Sequence, residues 1–323
     1  MDKNFIGLIG AGYWGKNLLR NLYQMGVLAA CCDSDENILG RAKKEFPGIK
    51  CVKTPDELFK DARIKAVAVA SPASTHCGIV EKALHKNKDV FVEKPLALTL
   101  KEGRELVDIA KRKKRILMVG HILHYHPAII KLKSLINAGA LGKIQYIYSN
   151  RLNIGKLRTE ENILWSFAPH DISVMLMLVG EEPVNVVCFG GDYVNKGIYD
   201  TTMTTLEFKS GPKGHIFVSW LHPYKEQKLI VVGSQAMAVF DDLTSEKLFL
   251  YHHKIEWKNG KIPVAHKADY EIVPVEKKEP LREELEHFVQ CVNGRKQPDT
   301  DGYEGLRVLK ILSLCEKSLK AGR

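Results

Sequence analysis

Phe5-Ile6-Gly7-Leu8-Ile9-Gly10-Ala11-Gly12-Tyr13-Trp14-Gly15 is the stretch on which the reading of this chain turns. Its apolar run reads as a short buried strand, broken by glycines just before a helical pattern starts at Tyr13. Each glycine has its own work in such a turn. Gly10 permits the tight bend, Gly12 lets the backbone approach a pyrophosphate, and Gly15 lets the new helix pack close on the strand. The amides that open the helix, at its positive dipole end, then face phosphate, which puts Tyr13 and Trp14 beside the ligand. Three glycines alone also fit an ordinary strand-to-helix turn, so the context decides. Residues 27–32 form a second apolar run ending in Asp33, about 20 residues beyond the glycines, where a ribose-binding acid belongs. A carboxylate there accepts hydrogen bonds from the adenosine ribose and repels a 2′-phosphate. The expected cofactor is therefore NAD rather than NADP.

Working outward, strand and helix patterns alternate from residue 5 to about residue 122. Residues 36–46 read as a helix stopped by Pro47-Gly48, and Thr54-Pro55-Asp56-Glu57 as a capping box opening the next. Residues 65–70 form a third apolar strand, ending at Ser71-Pro72, with a helix over 75–86. Residues 89–92 form a strand running into Glu93-Lys94-Pro95. Thr99 and Glu102 cap a helix reaching about 114, and the strand over 115–119 ends at Gly120-His121. Such alternation predicts right-handed crossovers and a doubly wound parallel sheet, a Rossmann arrangement. Ligands then bind beyond the carboxyl ends of the strands, where Asp33, Ser71, Lys94 and His121 all fall.

After residue 123 the pattern changes. A helix is expected over 127–138, a strand over 144–152 and an apolar helix from Pro169 to about 179. Strand-like runs follow at 184–189, 201–208, 215–220, 228–232, 238–240 and 248–252, joined in places by hairpin turns. Two amphipathic helices close the chain, one carrying Leu281, Leu285, Phe288 and Val292, the other Val308, Leu312, Cys315 and Leu319. The expected architecture is α/β: a nucleotide-binding domain over 1–122, then an α+β domain over 123–323 with an open, largely antiparallel sheet.

Composition narrows the function classes. The 323 residues are 45% hydrophobic and 27% charged, ordinary values for a globular protein. No apolar run approaches the ~20 residues that span a bilayer, and no signal peptide is visible. The seven cysteines are scattered without CxxC spacing, so neither a disulfide framework nor a zinc site is expected. A cytoplasmic protein is the expectation. The net charge of +10 comes largely from lysines spread along helices, with no recognition helix or aromatic-basic stripe. Nucleic acid is excluded on that ground, and an anionic small molecule fits better.

Several side chains sit where they can do chemistry. Lys94, straight after a buried strand and held extended by Pro95, would point into the cofactor crevice. There its charge would stabilise an alkoxide and ease hydride loss from the same carbon; taken alone, it also fits a surface lysine paired with Glu93. His170, expected in the first turn of its helix, would be kept neutral by the dipole and could take a hydroxyl proton. Its plainer reading is a local hydrogen bond, with Asp171 for instance. His121, His124 and His126 lack a carboxylate or cysteine at ligand spacing, so no metal is expected. Arg151, Lys156 and Arg158, with Asn153, read as a basic loop able to hold a diphosphate.

Together these motifs resemble the glucose-fructose oxidoreductase / inositol dehydrogenase / rhizopine catabolism (Gfo/Idh/MocA) oxidoreductase family over essentially the whole chain. The resemblance rests on Gly10, Gly12 and Gly15, on Ser71-Pro72-Ala73-Ser74-Thr75-His76, on Glu93-Lys94-Pro95, on Gly120-His121 through Tyr125 to Ala128, and on His170-Asp171. It implies that Lys94 and His170 contact the reacting hydroxyl, and that Pro72, His76, Glu93 and His121 border the cofactor. It further implies that Tyr125, Arg151, Asn153 and Arg158 border the substrate, and that the outer face of the second sheet makes a homo-oligomer. Two positions depart from the family: Ser166 stands where an aspartate is common, and His124 where an arginine is common. The stretch from Arg151 to Asp171 resembles the branch that oxidises C3 of UDP-N-acetylglucosamine or its uronate for 3-amino-sugar and surface-polysaccharide synthesis. A dehydrogenase of a free sugar or polyol, and a non-catalytic NAD-binding regulator, are the competing expectations.

Overall fold

The computed structural model of the chain describes residues 4–155, 157–159 and 161–321. Strand and helix alternate first: β1 (Ile6–Ile9), α1 (Gly15–Gln24), β2 (Leu28–Cys32), α2 (Glu36–Glu45), β3 (Lys50–Val52), α3 (Pro55–Lys60), β4 (Ala66–Val69), α4 (Ala73–His85), β5 (Asp89–Glu93), α5 (Leu100–Lys113) and β6 (Leu117–Gly120). The strands pair in parallel in the order β3-β2-β1-β4-β5-β6. The order in which strands are added reverses between β1 and β4, where doubly wound sheets take dinucleotides. Every residue of β1, β4, β5 and β6 is buried, which is why these strands read as unbroken apolar runs. The expected cap at α5 is complete: the Thr99 hydroxyl accepts from the Glu102 amide at 3.2 Å, and the Glu102 carboxylate accepts from the Thr99 amide at 3.0 Å.

A one-turn 3₁₀ helix (Ile122–Tyr125) leads to α6 (Pro127–Asn137), β7 (Ile144–Leu152) and α7 (Ile163–Val179). The strands β8 (Pro183–Gly191), β9 (Thr201–Phe208), β10 (Lys213–Ser219), β11 (Glu226–Gly233), β12 (Ala236–Asp241), β13 (Leu248–Lys258) and β14 (Ile262–Ile272) follow. With β7 they make one eight-stranded sheet, ordered β14-β13-β12-β11-β7-β10-β9-β8. Its pairs are antiparallel except β7 with β10, which run parallel. Strand β9 shows the logic of an open sheet: Thr202, Thr204, Leu206 and Phe208 are buried, and Met203 and Thr205 point outward. Helix α7 lies against β7, β9 and β10.

Two expectations need correction. Helix α7 begins at Ile163, not at Pro169, which lies inside it. The Asn162 side chain accepts from the Trp165 amide at 3.2 Å and caps the true start. The residues ahead of the proline, Ile163, Leu164 and Trp165, are buried, so packing offsets the one hydrogen bond that Pro169 cannot donate.

The second correction concerns the chain's end, α8 (Pro280–Gly294) and α9 (Gly302–Ala321). The compact units are Met1–Ile122 with Glu279–Lys310, and Leu123–Lys278 with Ile311–Arg323, so residues 123–323 are not one domain. The return is made by packing. The Phe288 ring of α8 stands 5.8 Å from that of Phe91 in β5, and the backbone after α8 follows β6, the Val119 amide donating to the Thr300 carbonyl at 2.8 Å. Helical spacing reports that a face is apolar; it does not report which sheet that face will meet. Among the described residues no helix is long and apolar enough to cross a membrane.

Candidate active site

The glycine loop of the first unit is built by two close approaches. Gly10 has φ +87°, and a Cβ there would stand 2.7 Å from the Ser71 amide nitrogen; a Cβ on Gly15 would land on the Gly10 carbonyl. At Gly12, by contrast, a Cβ would meet nothing within 4 Å. That open cradle beside the start of α1 is room for a pyrophosphate.

Asp33, at the end of β2, ties into this loop. Its Oδ2 accepts from the Ala11 amide at 2.8 Å and its Oδ1 from the Asp35 amide at 3.0 Å. Each carboxylate oxygen retains a second lone pair, which is what two ribose hydroxyls need. The residues present therefore fit NAD.

Beyond the carboxyl ends of β4, β5 and β6 the predicted residues form one connected set. The Trp14 indole Nε1–H donates to Glu93 Oε1 at 2.6 Å, joining the glycine loop to the Glu-Lys-Pro turn. His76 is buried, with Nδ1 2.8 Å from the Pro95 carbonyl and Nε2 2.9 Å from the Ser71 carbonyl, and so clamps the turn after β4 to the one after β5. Ser71 Oγ lies 2.7 Å from Thr75 Oγ1, Pro72 directly precedes α4, and the Lys94–Pro95 peptide bond is cis. His121 is buried and bonds through Nδ1 to the Glu304 carboxylate. Burial pushes the Glu93 carboxyl up to about 7, opposed by the Trp14 N–H and by the charges of Lys94 and His121.

In the second unit the expected basic loop is only partly a loop. Arg151 lies in β7, and its guanidinium is committed to Asp171 of α7, Nε to Oδ2 at 2.9 Å and Nη2 to Oδ1 at 3.2 Å. Ser149 donates to the same carboxylate. Asp171 thus belongs to a buried bridge, and Arg151 holds the scaffold rather than standing in a basic loop. Arg158 is the exposed cation, 48% accessible, with Nη1 2.5 Å from Glu161 Oε1. Asn153 donates its amide to the Ser219 carbonyl at 3.1 Å, Tyr125 is buried in the 3₁₀ turn, and Lys156 lies outside the described residues.

His170 is half-buried in the middle of α7, so the first-turn dipole argument for its neutrality does not apply. The other histidines have separate tasks: His124 Nε2 meets Ser173 Oγ at 2.7 Å, and His126 caps α6 by accepting from the Ala128 amide at 3.1 Å. Among the described residues no group of three or more His, Cys, Asp or Glu could hold a metal ion.

Glu304 and Glu284 are the residues the motifs did not reveal. Glu284 had a legible signal. It falls between Leu281 and Phe288 on the apolar stripe of α8, where a carboxyl is out of place.

Comparison with known proteins places the fold and the family. A family model described as "Oxidoreductase family, NAD-binding Rossmann fold" matches residues 5–121, and the GFO/IDH/MocA C-terminal domain matches residues 129–239. A UDP-N-acetylglucosamine 3-dehydrogenase from Acidithiobacillus ferrooxidans is 27% identical over 305 residues, 94% of this chain and 93% of its own. A myo-inositol 2-dehydrogenase from Thermotoga maritima is also 27% identical, covering 98% of this chain and 97% of its own. A solved structure of the Acidithiobacillus ferrooxidans enzyme superposes with a TM-score of 0.85 at 24% identity, over 98% of this chain and 97% of that one. A levoglucosan dehydrogenase in complex with NADH and levoglucosan gives 0.83 at 19% identity, over the same shares. Those two likenesses are of fold. The chain belongs to the Gfo/Idh/MocA oxidoreductase family, as an NAD-dependent dehydrogenase acting on CH–OH groups.

Proposed function

We propose that this dehydrogenase oxidises the C3 hydroxyl of a UDP-linked N-acetylated hexose, UDP-N-acetylglucosamine or its uronate, as a step toward a 3-amino sugar of surface polysaccharide. The observation that carries this reading is the match to a UDP-N-acetylglucosamine 3-dehydrogenase over 94% of the chain. The net charge of +10 and the exposed Arg158 guanidinium suit a nucleoside diphosphate.

Bound NAD supplies the hydride acceptor. His170 accepts the C3 hydroxyl proton, and the Lys94 ammonium stabilises the charge that develops on that oxygen. Asp33 orients the adenosine ribose, and the open face at Gly12 receives the pyrophosphate. Tyr125, Asn153 and Arg158 border the sugar nucleotide. The free thiols of all seven cysteines suit a cytoplasmic enzyme. Copies of the chain associate through the uncovered face of the eight-stranded sheet.

A second reading, oxidation of a free polyol, is favoured by the equal identity to a myo-inositol 2-dehydrogenase. NADH formation measured with UDP-N-acetylglucosamine, its uronate, myo-inositol and glucose separates the two. Turnover confined to the nucleotide sugars supports the first reading, and turnover confined to myo-inositol or glucose replaces it.

A further inference from the structure

Strand β8 turns Cys188 to the buried side of the eight-stranded sheet, directly opposite Thr204 of β9. Cys315 reaches the same point from α9, and the Thr204 hydroxyl touches both thiols. It donates to Cys188 Sγ at 3.3 Å and lies 3.8 Å from Cys315 Sγ. Three residues further along α9, Ser318 Oγ accepts from the Cys188 amide and donates to the Cys188 carbonyl, both at 2.9 Å. Residues three apart share a helix face, so this backbone contact pins α9 to β8 where the thiols meet.

The two thiols also hydrogen-bond each other, and the bond sets them apart. It pulls Cys188 below the ordinary thiol value, against burial, and the Thr204 hydroxyl adds to the lowering. The same bond, with burial, holds Cys315 well above that value. Burial pushes each of the other five cysteines up, Cys31 and Cys32 to about 12. Thiolate character therefore belongs to Cys188. Access belongs to it as well. Cys188, Tyr199 and Ser318 line a cavity of about 250 Å³, and Cys315 does not. That is several times the ~30 Å³ of one water, enough for a small hydroperoxide.

We propose that Cys188 and Cys315 form a modification site for a small hydroperoxide, in which Cys188 reacts first and Cys315 closes a disulfide joining β8 to α9. With hydrogen peroxide, the Cys188 thiolate attacks one oxygen and the O–O bond breaks, leaving a sulfenic acid and releasing water. The Cys315 sulfur then attacks the Cys188 sulfur, the S–O bond breaks, and a second water leaves. The two thiols give up two electrons and two protons, and the peroxide takes both. A second thiol at hand stops the oxidation at a stage that a dithiol reverses.

The test uses the full chain, reduced, then treated with hydrogen peroxide in native buffer and read by mass spectrometry of non-reduced digests. Wild type should lose about 2 Da and yield a cross-linked Cys188–Cys315 peptide that dithiothreitol removes. Cys188 should be consumed about tenfold faster than the equally buried Cys31. In Cys315→Ser, dimedone should trap a sulfenic acid on Cys188; in Cys188→Ser, Cys315 should stay a thiol. A wild-type chain with no such peptide, or one that forms it only when unfolded in urea, overturns the proposal. A sulfenic acid on Cys315 in Cys188→Ser, with none on Cys188 in Cys315→Ser, overturns the order of reaction. If the variants do not fold, the wild-type peptide alone decides.

Discussion

Lys94, Gly15 and Glu93 each make a claim that a single substitution can test. In the proposed reaction the Lys94 charge is useful only once the hydroxyl begins to lose its proton, so its removal should strike turnover and spare cofactor binding. Lys94→Ala should lower kcat about 100-fold or more with little change in NAD affinity, measured by steady-state kinetics beside an NAD titration. Unchanged turnover would remove Lys94 from the chemistry. Gly15 makes a steric claim. A methyl group there must displace the Gly10 carbonyl, so Gly15→Ala should lose about 1–3 kcal/mol of stability and most NAD affinity, read by denaturant unfolding and titration. Glu93 makes a pH claim. Its folded value, about 7, lies above its ordinary 4.5, so between those values the folded chain holds a proton that the unfolded chain has released. Its contribution to stability is therefore greatest in acid, declines as pH rises through that window and is flat above it. Urea unfolding should show wild type losing stability relative to Glu93→Gln between about pH 5 and pH 8. A constant difference would contradict the raised value.

At the scale of the element, α7 and β7 are held together by the buried Arg151–Asp171 bridge, with Ser149 as a third member. Truncating Arg151 leaves the carboxylate without its countercharge, so Arg151→Met should cost about 3–5 kcal/mol in urea unfolding. Arg158→Met, at an exposed pair, should cost no more than about 1 kcal/mol. The contrast shows what the sequence could and could not convey. Strands β1, β4 and β5 are covered on both faces and so announce themselves as apolar runs, and the Thr99–Glu102 cap is a local chemical pattern. Arg151 and Arg158 look alike in sequence because the difference lies in Asp171, a partner on another element. Pro169 resembled a first-turn residue because the burial ahead of it, which overrides the breaker, is a tertiary fact. Strand β14 escaped notice because its residues are nearly all exposed, so no alternation between core and solvent marks it. The same dependence on distant partners hid the return of α8 to the first sheet. Only Glu284, a carboxyl on the apolar stripe of α8, marked that face as unusual in the sequence.

At the scale of the whole molecule, the described residues leave one face of the eight-stranded sheet exposed. Helices α6 and α7 lie on one side, and the outward residues on the other include Tyr146, Val187, Phe189 and Met203, all exposed. Tyr146, Tyr148 and His215 stack into a ladder there, with centroids 6.3 and 4.8 Å apart. A sheet that faces water alternates apolar with polar; one whose outward positions are also apolar awaits a cover. Eight strands at about 4.8 Å spacing make a face roughly 35 Å wide, enough for the ~800 Å² per partner that a stable association buries. A second copy of the chain would bring the same face and satisfy both at once by a two-fold pairing. Light scattering should therefore give at least a dimer at micromolar concentration. Met203→Lys combined with Phe189→Lys should shift the mass toward the monomer while each chain still melts cooperatively. A wild-type chain that is monomeric at that concentration, or a double variant that keeps its mass, would place the cover elsewhere.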